Sequence, residues 1–420
     1  MKVVFKTCLI LSFLLLITGV VFWFLGSHDA LRPLAIVTIV CFALGIKEVE
    51  ALKNYQYTAW IMTAVLSGML YPESFKSWGG VNLRDKTLIL IIIQFVMFGM
   101  GTHIKVKDFA GIGSTGKGVL VGLFCHFSVM PLMGFLLTRI FHFDPEIAAG
   151  IILIGSCSSG LASNVMVYLA KGNLVLSVVV TAMATLAAPF LTPLLMKLLA
   201  GTLIQVAFVG MMMEIIKIVL IPIGAALLYD YLKNANTSVV NKSRIIALVL
   251  LFIMIGIFLL IKNGAVDGTL KESLEITGFI FGAYVMGVLY HGATSFEPRL
   301  DTWMPYISMM GIIYFTTVTT AAGRDNLLKV GGLLFVVSVI HNASGYFFGY
   351  WLARLFGMSK TDARTIAFEV GLQNGGMASG LAGTMGKLGT VGLPAAVFSP
   401  WMNISGSILA NFWRKRAVDK

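Results

Sequence analysis

Runs of about twenty apolar residues recur along the whole chain, and most are long enough to cross the hydrocarbon core of a bilayer. Fourteen such segments are present, at residues 5–26, 33–47, 57–71, 87–104, 113–141, 147–170, 173–200, 206–229, 244–262, 276–293, 303–321, 331–355, 364–386 and 391–413. Segments 33–47 and 57–71 are short for a span, so a count of twelve crossings also stays open. The pattern predicts an all-α polytopic membrane protein.

The composition agrees with a chain whose main surroundings are the lipid bilayer. Of its 420 residues, 58% are hydrophobic and 12% are charged, whereas soluble domains carry about 25% charged residues. The net charge is +12, but Lys and Arg lie at the ends of apolar runs and form no basic patch with interleaved aromatic residues, so no nucleic-acid partner is predicted. The four cysteines lack CxxC spacing, which argues against a disulfide framework or a zinc site.

Lys and Arg also set the predicted orientation. With a cytoplasmic amino terminus, the loops on the cytoplasmic side carry the larger share of these residues, including Arg414, Lys415 and Arg416. The first apolar run is longer than a signal-peptide core and has no A-x-A site, so we expect it to remain as a helix. We predict a multi-pass protein of the bacterial inner or plasma membrane with both termini cytoplasmic. Lys217 is unusual because it lies inside an apolar segment.

The segments divide into two sets of seven, and sets with an odd number of spans have opposite topologies. Secondary transporters are often built from such inverted repeats, with a site where interrupted helices from the two halves meet. The sixth segment of each set is interrupted, by GSCSSGLASN at 155–164 and FEVGLQNGGMASGLA at 368–382. A break within a membrane frees carbonyl groups for a cation and creates a helix N-terminus for an anion. These stretches are the predicted functional site.

Glu369 lies just before the second break, with no Lys or Arg close to it in the segment. A charged carboxylate within a membrane costs about 2.5–3.5 kcal/mol, so we expect a bound cation as its partner. Ser163 and Asn164 lie at the matching position of the first half, and the spacing of Ser177 and Thr181 puts both hydroxyls on one helix face. Oxygen ligands with one carboxylate favour a monovalent cation, which predicts sodium. A protonated Glu369 that bonds between helices is the alternative.

Three stretches carry a resemblance to a known family: ASNVMVYLAKGNLVLSVVVTA (162–182), FEVGLQNGGMASGLA (368–382) and VFSPWMNISGSILANFW (397–413). Further matches are FGMG at 98–101 followed by DF at 108–109, and HNASGYFFGY at 341–350. The chain closely resembles the bile acid sodium symporter family over residues 55–229 and 303–413. Residues 1–54 and 230–302 lie outside the ten-helix pattern usual in that family.

The resemblance implies two inverted five-helix repeats, with a panel domain beside a core domain in which two discontinuous helices cross. Four regions follow for this sequence: extra amino-terminal transmembrane segments (1–54), the first repeat (55–201), the start of the second repeat with inserted segments (202–302), and the remainder of the second repeat with its broken helix and basic tail (303–420).

The resemblance also implies up to two sodium sites. The first comprises Ser163, Asn164, Ser177, Thr181 and Glu369, and the second comprises Glu369, Val370, Leu372, Gln373 and a glutamine at the position that is His126 in this chain. Because imidazole is a poor sodium ligand, we expect either one or two sodium ions. A proton on His126 or Glu369 could replace one of them, and a His126 that only packs between helices is the third alternative.

The substrate-binding residues that the resemblance implies lie around the two breaks: Ser158, Ser159, Asn164, Asn374, Gly375, Gly376 and Asn403. Their amide groups would donate to a carboxylate or sulfonate. Relatives often have PGGTASN where this chain has SSGLASN, and WHN where it has Trp401-Met402-Asn403. The substrate therefore stays open among bile-acid-like, steroid-like and small carboxylate anions.

The sequence predicts a secondary active transporter, which couples sodium to the symport of an organic anion by alternating access, and not an enzyme. A membrane-embedded enzyme would need a nucleophile with its base, or a set of metal ligands. The chain has no HExxH or GxSxG motif, and its six histidines are scattered. A passive channel or a receptor with the same fold is the remaining alternative.

Overall fold

The computed structural model describes residues 2–26, 28–50, 52–107 and 112–416, which form an all-α structure with one small hairpin. The helices are α1 (Lys2–Phe24), α2 (Leu31–Gly45), α3 (Gln56–Leu70), α4 (Lys86–Gly101), α5 (Ile112–Ile140), α6 (Pro145–Ser156), α7 (Ala162–Leu169), α8 (Leu174–Ala200), α9 (Phe208–Ile215), α10 (Ile221–Lys233), α11 (Thr237–Lys262), α12 (Gly268–Phe296), α13 (Leu300–Ala322), α14 (Arg324–Leu355), α15 (Lys360–Gly371), α16 (Gly375–Thr384) and α17 (Leu393–Arg414). Strands β1 (Ser77–Trp78) and β2 (Val81–Asn82) pair antiparallel, with Ser77 opposite Asn82.

Within the described residues, seven helical stretches are long and apolar enough to cross a membrane. They are Val3–Phe24, Thr115–Ile140, Leu174–Ala200, Phe208–Lys233, Thr237–Lys262, Gly268–Phe296 and Arg324–Leu355. One of them runs from α9 through a π-helical turn, Ile216–Leu220, into α10. The predicted all-α membrane character is therefore confirmed, while the fourteen crossings, the four regions and the inverted repeat stay predictions.

Side-chain caps fix where the helices of the central region begin. The Asn173 side chain accepts a hydrogen bond from the Leu176 N–H at the start of α8, and the Asn374 side chain accepts one from the Met377 N–H at the start of α16. Each cap satisfies an N–H group that a helix terminus leaves without an intrahelical partner. The cap on α8 lies one turn before Ser177 and so fixes where the polar face of that helix begins.

Two breaks meet in the buried centre of the structure, one between α6 and α7 and the other between α15 and α16. Ser159 and Gln373 form an antiparallel bridge. The Gly160 N–H donates to the Leu372 carbonyl at 2.9 Å, and the Asn374 N–H donates to the Ser158 carbonyl at 2.8 Å. Backbone groups that the breaks release from the helices therefore satisfy each other across the gap, as the absence of water within a bilayer requires.

Helix α14 packs closely against α15 just before the second break. A Cβ atom placed on Gly345 would lie 2.8 Å from the Gly371 Cα, and one placed on Gly349 would lie 3.0 Å from the Ala367 Cα. The spacing of Gly345 and Gly349 is the small-xxx-small pattern that lets membrane helices approach at backbone distance. This contact positions the end of α15, and with it the residues of the second break.

The helices outside the region of family resemblance pack at the margin of this centre. Helix α1 packs against α2, and α2 packs against α3. Helices α11 and α12 pack against each other, and α12 also packs against α10. Only 6% of the apolar window of α1 and 11% of that of α11 is buried within the protein, so most of the surface of these two helices is left for lipid.

Candidate ion and substrate site

The Glu369 carboxylate is fully buried and is surrounded by hydroxyl groups. Its Oε1 accepts hydrogen bonds of 2.6 Å from both Ser163 and Ser177. Its Oε2 accepts hydrogen bonds from Ser159 at 2.7 Å and from Thr181 at 2.8 Å. In the part of the chain that the structure describes, no ion pair reaches this carboxylate. A buried carboxylate that has only neutral hydroxyl partners leaves its charge to be balanced by a bound cation or a proton.

Asn164 completes this group of oxygen atoms. Its Oδ1 lies 2.7 Å from the Ser177 Oγ and 3.3 Å from the Thr181 Oγ1. The five residues of the predicted first sodium site therefore lie together, from α7, α8 and α15. A hydroxyl can donate a proton to the carboxylate or direct a lone pair to a cation. The set of donors, hard oxygens with one formal charge, suits a monovalent cation.

Ser159 joins this cluster although the sequence placed it in the substrate set. Its hydroxyl contacts the Glu369 carboxylate, and it also lies 3.4 Å from the Thr181 Oγ1. The backbone pairing of Ser159 with Gln373 brings the two breaks together and orients this side chain. Its position beside Ser163 in the first break was the signal that could have found it.

The residues predicted for a second sodium site differ from the first cluster, because two of their backbone carbonyls already accept hydrogen bonds from within the protein. The Val370 carbonyl accepts a 2.6 Å hydrogen bond from the Gln373 Nε2, and the Leu372 carbonyl accepts the hydrogen bond from Gly160. The Gln373 Oε1 is buried without a partner among the described residues.

His126 lies between the two breaks, fully buried. Its Nδ1 is 2.8 Å from the Glu369 carbonyl, and its Nε2 is 2.8 Å from the Cys157 carbonyl. A neutral imidazole donates from only one ring nitrogen, whereas an imidazolium donates from both. The ring therefore links the end of α6 to the end of α15, at the position for which the sequence comparison predicted a glutamine ligand.

A cavity of about 380 Å³ opens beside the paired breaks. One wall consists of break residues together with residues of α7, α16 and α17, and the other comes from α3, α4 and α13. Four predicted substrate residues line this cavity: Asn374, Gly375, Gly376 and Asn403. The other three, Ser158, Ser159 and Asn164, are not among the lining residues. The N-terminus of α16 at Gly375 opens into the cavity, and its helix dipole favours an anionic group. The Gly375 N–H donates to the Gln373 carbonyl and the Met377 N–H to the Asn374 side chain.

The opposite wall contributes residues that the sequence did not single out. His103, which follows the FGMG stretch, lines the cavity together with Tyr57 and Ser308. Met100 and Met309 add flexible apolar surface to this wall. The DF pair at 108–109, which follows FGMG in the sequence, lies outside the described residues. Of the described lining residues, His103 is the one whose side chain can become cationic, and its nearness to the FGMG stretch was the available signal.

Comparison with known proteins relates this geometry to a family. The chain is 30% identical to an uncharacterized sodium-dependent transporter of Bacillus subtilis over 375 residues, which are 89% of this chain and 96% of the relative. The family model for the sodium bile acid symporter family matches residues 90–267. This chain belongs to the sodium bile acid symporter family. The family and these relatives indicate a sodium-dependent transporter of the membrane.

Two further relatives show how widely the similarity extends. The chain is 28% identical over 362 residues to a probable chloroplastic sodium/metabolite cotransporter of Arabidopsis thaliana, covering 86% of this chain and 74% of the relative. It is 28% identical over 298 residues to the ileal sodium/bile acid cotransporter of Homo sapiens, covering 69% of this chain and 66% of the relative. These two relatives are thus named for different substrates, a metabolite for one and bile acid for the other.

Proposed function

We propose that this protein is a sodium-coupled symporter of an organic anion and that it works by alternating access. The observation that carries the proposal is the buried Glu369, which lies among four hydroxyl groups beside a cavity that the N-terminus of α16 enters. A sodium ion among Glu369, Ser163, Asn164, Ser177 and Thr181 would balance the carboxylate. The substrate's carboxylate or sulfonate would bind at Gly375 and Gly376.

The coupling follows from this juxtaposition. Asn374, Gly375 and Gly376 belong to the same break as Glu369, and Ser163 and Asn164 begin the helix after the other break. An ion that holds the two breaks in one arrangement would therefore also fix the substrate-binding amides, which is positive coupling between two ligands. We further propose the inverted-repeat layout with panel and core domains, fourteen crossings, cytoplasmic termini and a bacterial inner-membrane location.

Uptake into proteoliposomes tests the function. We expect organic acids of the right class to accumulate against their gradient only when sodium is higher outside, and not with an equal potassium gradient. A screen of bile acids, steroid-like acids and small 2-keto or hydroxy acids covers the candidate substrates. Uptake that only equilibrates the acid, at the same rate with either cation, would indicate a passive channel and contradict the symporter.

Sodium should raise the melting temperature of the purified protein in detergent, because a ligand that binds only the folded state stabilises it by about 2.7 kcal/mol at a hundredfold excess over its Kd. Potassium and choline at the same ionic strength are the controls. Ser177→Ala should weaken the sodium-dependent shift, because it removes one oxygen from the cluster. Equal shifts for sodium and potassium would count against the proposed ion site.

We propose that one sodium ion moves in each cycle, because the His126 ring lies where the second ion would bind. The Hill coefficient for sodium, which cannot exceed the number of coupled sites, should be near one. His126→Gln should restore a glutamine oxygen and raise it. The measurement is uptake against sodium concentration for the wild type and the variant.

His341→Gln is the matched control, since His341 is also fully buried but bonds the Met130 carbonyl instead of either break. Identical sodium curves for the wild type and His126→Gln would refute the role of the ring in the ion count. Uptake that responds to a pH gradient, and loses this response in His126→Gln, would indicate that a proton has replaced the ion.

A further inference from the structure

A second cavity, of about 700 Å³, lies apart from the substrate cavity. Its walls come from α4, α10 and the π-helical turn before α10 on one side, and from α11 and α12 on the other. The lining is mainly apolar and includes four phenylalanines, at Phe95, Phe98, Phe258 and Phe279. A cavity of this volume, with few polar groups at one place, is typical of a small-molecule site.

The polar groups of this cavity form an ionisable cluster around Lys217. The Lys217 Nζ lies 3.3 Å from the Glu214 Oε1 and 3.8 Å from the Glu275 Oε2. Its side chain is only 15% exposed, against 34% for Glu214 and 35% for Glu275. Both Lys217 and Glu275 line the cavity. Ionisable groups at this depth are costly, and in membrane proteins they usually mark a functional site.

The cluster lies well inside its helices. Lys217 comes nine residues after Phe208, the first residue of α9, which places it about 13 Å along the helix at 1.5 Å per residue. The backbone around it is a π-helical turn, a feature frequent at functional sites. The Gln94 Nε2 of α4 donates to the Lys217 carbonyl at 3.1 Å and holds this turn against α4.

The charges of the cluster indicate which ligand would fit. With all three groups ionised, two carboxylates face one ammonium, so the cluster carries one net negative charge. Glu214 lies within hydrogen-bond distance of Lys217, whereas Glu275 at 3.8 Å is too far for a hydrogen bond. Glu275 is therefore the less tightly paired of the two carboxylates, and it lines the cavity beside Phe279, whose ring centroid lies 5.7 Å from the Lys217 Nζ. An ammonium group would complement the net negative charge of the cluster, and Phe95, Phe98 and Phe258 supply further aromatic surface.

We propose that this cavity binds a single-chain amphiphile with an ammonium head. The head pairs with Glu275 near Phe279, and the chain lies along the apolar wall of Met254, Phe258 and Met286. The site goes beyond the proposed transport function, because its residues are separate from the sodium cluster and because α11 and α12 lie within residues 230–302, outside the region of family resemblance.

Binding is tested on the full-length protein in a neutral maltoside detergent without sodium. The probes share one chain and differ in the head: dodecyltrimethylammonium, dodecanoate and dodecanol, each below its micelle concentration. We expect only the ammonium probe to raise the melting temperature saturably. Glu275→Gln should weaken its apparent affinity at least about tenfold, as expected for the loss of a desolvated charge partner.

Glu272→Gln is the matched control, since Glu272 is exposed on the same helix and does not line the cavity. It should bind the probe as the wild type does, and Glu275→Asp should retain most of the binding. If Glu275→Gln folds poorly, equilibrium dialysis of the ammonium probe against Glu275→Asp and the wild type still measures whether the probe binds saturably. Stabilisation by dodecanoate instead, an equal loss in Glu272→Gln, or no saturable binding would each overturn the proposal. None of these results depends on transport.

Discussion

Glu369→Gln should reduce sodium-dependent uptake by more than about 100-fold, since even residues that only support metal ligands cost 10–100-fold in affinity when replaced. The variant keeps the size of the side chain but removes the only formal negative charge among the oxygen atoms of the cluster. Sodium would then lose its counter-charge in a site that excludes water. Glu369→Ala should lose uptake equally, with expression close to normal, because a costly buried carboxylate has been removed.

The measurement is initial uptake into proteoliposomes with a sodium gradient, together with the sodium-dependent shift in melting temperature. Glu73→Gln, an exposed carboxylate outside the helical core, is the control and should behave as the wild type. Glu369→Gln should lose the sodium-dependent shift while still giving a cooperative melting transition. Sodium-stimulated uptake that survives in this variant would mean that Glu369 is not the ion's partner.

Gly345→Ala should destabilise the protein and reduce uptake even though alanine is the better helix former. The new methyl group would lie 2.8 Å from the Gly371 Cα and 2.6 Å from the Met130 Sδ. The methionine can move, but the backbone of Gly371 leads directly into the second break. Overpacking of this kind costs about 1–3 kcal/mol, and a displaced α15 would also misplace Glu369 two residues earlier.

Gly332→Ala on the same helix provides an internal comparison. No atom lies within 4 Å of a Cβ at Gly332, so the substitution should raise stability by up to about 1 kcal/mol through helix propensity alone. Thermal melting of both variants in the same detergent shows whether Gly345→Ala lowers the melting temperature and Gly332→Ala raises it. If Gly345→Ala were as stable and as active as Gly332→Ala, close approach of α14 to α15 would not be needed to position the break.

The sequence could predict those parts of the site that depend on local spacing. Ser177 and Thr181 are one helical turn apart, so their shared face follows from helix geometry alone. The glycine-rich run after Glu369 is unfavourable for a continuous helix, so a break was predictable as well. The contact of both hydroxyls with one buried carboxylate agrees with the prediction from these two patterns.

Other contacts depend on how distant segments pair, and no local pattern contains that information. His126 bonds one carbonyl 31 residues away and another 243 residues away, so its role as a link between breaks needed the three-dimensional structure. Lys217 was unusual within an apolar run, but its second carboxylate, Glu275, lies just outside the predicted segment 276–293. The helix there starts earlier, at Gly268, since backbone hydrogen bonding and not apolarity sets its length.

The main-chain joint between the two breaks has a consequence for how such proteins can diverge. Ser158 contributes to this joint through its carbonyl, Gly160 through its N–H, and Asn374 through its N–H. A proline at position 158 would still supply the same carbonyl, so this side chain can be exchanged without separating the helices. Because the joint consists of main-chain hydrogen bonds, substitutions can change the side chains around the cavity while the pairing of the two breaks is kept.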